Sequence, residues 1–165
     1  MKPSDRVRHF EAWAGEYDEV TRAGEHDFPF DGYELVLSRA VEQADPTPDM
    51  RILDLGIGTG NLALRFARQG CTIWGIDFSA HMLAQARSKL PEAHLVQADL
   101  LDPWPALVPP SFDRVVSAYT FHEFDLDTKV RILRRVVDHY VAAGGRIVRR
   151  LTGPGAPPPH RGEPA

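Results

Sequence analysis

The chain has 165 residues, 43% hydrophobic and 25% charged, a composition that suits one globular domain and excludes a mainly disordered chain. Its net charge of −4, with both signs spread along the sequence, offers no basic stripe for a nucleic-acid backbone and no polybasic patch for a membrane. Cys71 is the single cysteine, "MKPSDRVRHF" lacks the apolar core of a signal peptide, and no run approaches the ~18 apolar residues of a membrane span, so a cytoplasmic protein acting on small molecules is expected.

In chain order, "FEAWAGEYDE" places Trp13 and Tyr17 at the i, i+4 spacing of one helical face. Tyr33, Val36, Leu37, Ala40, Val41 and Ala44 form a second helical stripe, which stops before the turn "DPTP". These segments read as an N-terminal helical preface over residues 1–45, ahead of a sheet core over 50–150. "RILDL" (51–55) is the first expected strand, and "GIGTGN" follows it as a glycine-rich turn. A helix carrying Leu62 and Phe66 comes next, then a strand "CTIWGI" (71–76) and a helix with Met82, Leu83, Ala86 and Leu90, capped by Asp77 or Ser79. The strands "AHLVQ" (93–97) and "DRVVSA" (113–118) lead to a helix whose expected stripe is Val130, Leu133, Val137, Tyr140 and Val141. Asp125 or Asp127 caps that helix, Gly144 and Gly145 read as its C-terminal signals, and "GRIVRR" (145–150) is the fifth strand. Strands alternating with helices predict an α/β fold, a Rossmann-like open and mainly parallel sheet with helices on both faces. The proline- and glycine-rich residues 151–165 read as a disordered tail, and their composition suits a truncated or frame-shifted gene end.

In such a sheet ligands bind beyond the carboxyl ends of the strands, where a side-chain-free turn admits them to the backbone and to helix N-terminal amides. Gly56, Gly58 and Gly60 occupy that turn, but Asn61 stands where the dinucleotide fingerprint G-x-G-x-x-G carries its third glycine. The departure favours a nucleoside without a pyrophosphate over a nicotinamide cofactor. Asp77 ends the second strand, where a carboxylate can take both hydroxyls of a ribose, and capping the next helix is its alternative role. Asp99 follows the third strand, where a solvated turn is the alternative. No compact metal-ligand spacing joins His81, His94, His122 and His139, so no metal is expected.

Asp54-Leu-Gly56-Ile-Gly58-Thr-Gly60 resembles the first motif of class I S-adenosylmethionine-dependent methyltransferases. A closer resemblance is to small bacterial methyltransferases of the YrrT-like group, through "FEAWAGEYDE", "FDGYELVL", "LGIGTGNLA", "GIDFSAHML" and "SAYTFHEF", over about nine-tenths of the chain. The resemblance implies a strand order 3-2-1-4-5 and S-adenosyl-L-methionine as cofactor. It sets Asp54 near the cofactor's ammonium group, with Gly56, Gly58 and Gly60 admitting its amino-acid and ribose portions and Thr59 close by. Asp77 then serves the ribose hydroxyls and Asp99 the adenine amino group, with Phe78 and Leu100 beside them as further cofactor-binding residues. Tyr17 belongs to a lid over the cofactor, and Ser117, Tyr119 and His122 line the space of the methyl group and its acceptor, with Tyr119 and His122 as candidate catalytic groups. It implies methyl transfer to a small molecule; a cofactor-binding protein with little turnover is the alternative. The family's closing hairpin is missing from the sequence, which leaves the fifth strand as an exposed edge open to self-association.

Overall fold

A computed structural model describes residues 18–19, 32–106 and 108–150. Helix α1 (Tyr33–Ala44) leads into strand β1 (Arg51–Leu55), followed by α2 (Asn61–Ala67), β2 (Thr72–Asp77), α3 (Ala80–Lys89) and β3 (His94–Gln97). Strand β4 (Phe112–Ala118), a 3-10 turn (Phe121–Glu123), helix α4 (Leu126–His139) and strand β5 (Val141–Arg150) complete the order. The five strands lie as β3-β2-β1-β4-β5, and every adjacent pair is parallel, as the sequence predicts.

Side chains alternate across a strand, so β1 feeds two cores at once. Ile52 packs with Leu37, Ala40, Phe66 and Ile73 on the face covered by α1 and α2, whereas Leu53 and Leu55 pack with Ile76, Val96, Val115 and Ile132 on the other. Asp54 falls between them in β1, opposite Gly75 of β2 and Val116 of β4. The alternation therefore sends a carboxylate toward the Ile52 side of a strand buried from Ile52 to Leu55, near its carboxyl end.

Helix ends follow their capping chemistry. Ser79 caps α3 by accepting from the Met82 amide, and Asp125, of the two candidates, caps α4 by accepting from the Thr128 amide at 2.7 Å. The carbonyl end of α1 is met by the buried Arg114 of β4, whose guanidinium donates to the carbonyls of Ala44, Asp45 and Asp113. A cation at a helix C-terminus is favourable for the orphan carbonyls and the dipole together.

Around α4 one expectation holds only in part and another fails. The residues it buries fully are Ile132 and Val136; of the expected stripe, Leu133, Tyr140 and Val141 pack half-buried against that core, while Val130 and Val137 are exposed at 38% and 58%. The helix also stops at His139 with Tyr140 as its cap, so Gly144 and Gly145 lie inside β5 and not at the helix end. There the register jumps: Phe112 faces Val141, yet Arg114 faces Arg146, and Gly144 takes φ +77° to absorb the extra residues as a bulge. Trp13, most of the helical preface and the 151–165 tail lie outside the described residues.

Candidate active site

The glycine turn that follows β1 is held from below by β2. The amides of Gly56 and Ile57 donate to the Ile76 carbonyl at 2.8 and 3.0 Å, and the Gly58 amide donates to Oδ2 of Asp77 at 2.9 Å. The other Asp77 oxygen accepts from the Ser79 amide at 2.9 Å. Asp77 thus binds the turn after β1 to Ser79, the residue that caps α3, so the capping role falls to Ser79 and Asp77 acts by holding that cap and the glycine turn together.

Two hollows open on either side of this turn. The larger, about 590 Å³, is lined by Gly56, Gly58, Asp77, Phe78, Asp99 and Leu100, together with Met82, Ala118, Tyr119, Thr120, Glu123 and Phe124. The smaller, about 340 Å³, is lined by Asp54, Gly56, Gly58, Thr59, Asn61, Tyr33 and Tyr119 among others. Gly56, Gly58, Ala118 and Tyr119 border both, so the two form one cleft folded over the glycine turn.

The glycines differ in what they do. Gly58 has φ +55°, and a Cβ built on it meets no atom of the described residues within 4 Å, so among these residues the space above it is open cleft. Gly56 has φ +72°, and a Cβ there would lie 2.2 Å from Thr120 Oγ1. Gly60 lines neither hollow: it caps α2 at φ +85°, and a Cβ on it would crowd Leu90 at 2.9 Å.

The floor of the smaller hollow carries an electrostatic anomaly. Asp54 is 2% exposed, and its Oδ2 has no hydrogen-bond partner among the described residues. Burial, with the Asp77 charge second, pushes its pKa up to about 8. The rim carries the opposite arrangement. Asp18 accepts from Thr59 Oγ1 at 2.6 Å and from Asn61 Nδ2 at 2.9 Å, and it pairs with Lys89, which also donates to Asn61 Oδ1 at 2.8 Å. Burial raises the Asp18 pKa, but these donors, Lys89 foremost, outweigh it and hold the carboxyl below its usual value.

Tyr119 stands at the junction of the hollows with φ +58°, a conformation rarely taken by a bulky side chain. Its ring stacks on Tyr33 at 5.3 Å and an interplanar angle of 28°. Ser117 is buried and donates to the Leu55 carbonyl at 2.7 Å, clipping β4 to β1; it lines neither hollow. His122 also lies outside both linings, on the exposed side of the 3-10 turn. Desolvation and the Lys129 charge push its pKa down, which leaves the imidazole neutral at pH 7. Tyr17 lies outside the described residues.

The structure therefore gathers Asp54, Gly56, Gly58, Thr59, Asp77, Phe78, Asp99, Leu100 and Tyr119 around one cleft. It adds Asp18, Tyr33, Asn61, Lys89, Thr120, Glu123 and Phe124, which sequence reasoning did not assign to the site. Lys89 is 71 residues from Asp18 in sequence and carried no signal toward it. Asn61, one residue past the glycine turn, carried a signal by position, while Asp18, Tyr33, Thr120, Glu123 and Phe124 lie inside the motifs of the resemblance but were given no role of their own in the cofactor site.

The family model of a methyltransferase domain matches residues 52–144. Two relatives, both described as uncharacterized methyltransferases, come from Alkaliphilus oremlandii and Geobacillus thermodenitrificans. The first is 30% identical over 141 residues and the second 33% over 142, each alignment covering 84% of this chain and 63% of the relative. The chain thus spans a little under two-thirds of the length of these relatives. Among solved structures, a TehB-like SAM-dependent methyltransferase from Corynebacterium glutamicum matches with a TM-score of 0.66 at 25% identity, covering 86% of this chain and 72% of that one. DhpI, solved with SAM and HEP, matches with the same TM-score at 24% identity over 87% and 63% of the two chains, a likeness of fold. The chain belongs to the methyltransferase-domain family, and its fold is that of the class I, S-adenosylmethionine-dependent methyltransferases.

Proposed function

We propose that the protein is an S-adenosylmethionine-dependent methyltransferase acting on a small-molecule acceptor. The observation that carries this reading is the cleft folded over the glycine turn, with the buried Asp54, whose Oδ2 has no hydrogen-bond partner among the described residues, on one side and two carboxylates, Asp77 and Asp99, on the other. A methionine-derived nucleoside has the matching groups: an ammonium at one end, ribose hydroxyls in the middle and an adenine amino group at the other. Asp54 would hold the ammonium, Gly56, Gly58 and Thr59 the amino-acid and ribose portions, Asp77 and Phe78 the ribose side, and Asp99 and Leu100 the adenine. When bound, this cofactor supplies a methyl group on a sulfonium, open to in-line attack by a nucleophile.

The chain's own contribution is positioning and exclusion of water. Leu100 and Phe124 are buried apolar walls of the larger hollow, and Tyr119 is braced by Tyr33 at the junction where an acceptor reaches the cofactor. Of the two candidate catalytic groups, Tyr119 has the better support from geometry. His122, with its pKa pushed down and its side chain outside both linings, has less. An acceptor that is already a good nucleophile needs no base in this scheme.

A cytoplasmic location and self-association through the outer strand belong to the same reading. Among the described residues no helix is long and apolar enough to cross a membrane, and Cys71 is a buried free thiol. Strand β5 ends the sheet with its far edge unpaired among the described strands, flanked by the exposed Arg146 and Arg149. Sedimentation across a concentration series reads the association directly. A screen with methyl-labelled S-adenosylmethionine against thiol, amine and hydroxyl acceptors tests the activity; label transfer to a small molecule is the expected result, and transfer to none of the classes by a folded protein contradicts it.

A further inference from the structure

A carboxylate that is almost wholly buried cannot stay ionised without a partner, because desolvation of the charge is not repaid by hydrogen bonds or a cation. Asp54 is in that position. Among the described residues, the groups that face it from neighbouring elements do not relieve it. Asp77, from β2, is a second carboxylate and repels it. Tyr33 from α1 and Tyr119 from beyond β4 contribute phenols to the same hollow, and Thr59 and Asn61 turn their donors toward Asp18. The cation at this rim, Lys89, is paired with Asp18, and Arg65 of α2 is paired with Glu34.

We propose that Asp54 stands as a neutral acid in the free protein and gives up its proton when the ammonium group of the cofactor's amino-acid end arrives, so that cofactor capture is coupled to proton release. The inference rests on the cofactor reading above. The O–H bond of Asp54 breaks, its electron pair stays on the carboxylate, and the proton passes to water or buffer. The new carboxylate is then neutralised by the ammonium, so the hollow holds an ion pair in place of a lone charge. The arrangement also makes Asp54 a specificity element, since a nucleoside without the ammonium cannot draw the proton off.

The upward shift of Asp54 to about 8 sets the expected window. Calorimetry of S-adenosylhomocysteine binding in two buffers of different ionisation enthalpy, near pH 7, should show about one more proton released by the wild type than by Asp54→Asn. The difference should vanish above pH ~9, where the free carboxyl is already ionised. 5′-Methylthioadenosine, which lacks the amino-acid end, should bind both proteins with no difference in protons. If Asp54→Asn binds too weakly to measure, carboxyl-carbon NMR of the wild type decides. A resonance titrating near pH 8 in the free protein, and absent from that range in the complex, supports the inference. Equal proton release from the two proteins, or an Asp54 carboxyl that titrates below pH 5 in the free wild type, overturns it while leaving the cofactor reading in place. Failure of the wild type to bind either nucleoside overturns both.

Discussion

Gly56 and Gly58 share a left-handed backbone but fail differently on substitution. A side chain at Gly58 meets open cleft, so Gly58→Val should cost the fold about 1–2 kcal/mol of backbone strain and abolish cofactor binding by filling the ligand's space. A side chain at Gly56 strikes Thr120, so Gly56→Ala adds a steric clash to similar strain and should lower Tm further than Gly58→Ala. Thermal melts paired with ligand titration separate the two. Asp77→Ala removes the acceptor of the Gly58 and Ser79 amides, and we expect binding to weaken by roughly 1–3 kcal/mol, with helical circular dichroism largely kept. Asp54 gives a pH signature in the absence of ligand. Its folded pKa is raised, so the folded state holds a proton that the unfolded chain releases near pH 3.8. That contribution to stability is complete below the unfolded value and is lost as pH rises through about 8. The wild type should therefore lose Tm relative to Asp54→Asn between those limits and run parallel to it above them; parallel melts throughout would contradict a buried neutral acid. At this scale the glycine spacing and the acidic residues at the carboxyl ends of the first three strands were legible in the sequence, because they obey a fixed local order. The Asp18–Lys89–Asn61 cluster was not, since it joins an N-terminal residue to two helices of the sheet domain.

Helix α4 shows where periodicity runs out. Its apolar residues spread over a broad arc, from Leu126, Val130 and Val137 through the half-buried Leu133 to Ile132 and Val136, and spacing alone favours the longer row. The sheet decides otherwise: Ile132 and Val136 are fully buried against the strands, and Leu126 is 73% exposed. Ile132→Ala should accordingly cost about 2–5 kcal/mol in urea unfolding, whereas Val137→Ala should stay within about 0.5 kcal/mol of the wild type. The reverse ranking would restore the sequence-based phase. The same competition displaced the end of the helix. A glycine pair after an amphipathic run signals a C-terminus, but here tertiary pairing with β4 extends β5 back to Val141 and uses the glycines as a bulge. The element types and the strand order were legible from alternating apolar runs and from the family motif, while phase and boundaries depended on contacts distant in sequence.

At the scale of the whole molecule, Asp18 ties the N-terminal segment to the domain by bridging the start of α2 and the end of α3. Its carboxyl is held below the usual value, so its contribution is present above the unfolded pKa of 3.8 and is lost as pH falls through the lower folded value. Asp18→Asn should shift acid unfolding to higher pH, and melts across the acid limb check this. The central claim is that one cleft at the carboxyl end of the sheet holds S-adenosylmethionine across the glycine turn. Equilibrium dialysis of labelled S-adenosylmethionine against the wild type and Gly58→Val, each shown to be folded, tests it most directly. We predict saturable single-site binding by the wild type, no competition from NADH, and loss of binding in Gly58→Val. Absence of binding to the folded wild type, or equal binding by the two proteins, would contradict the account.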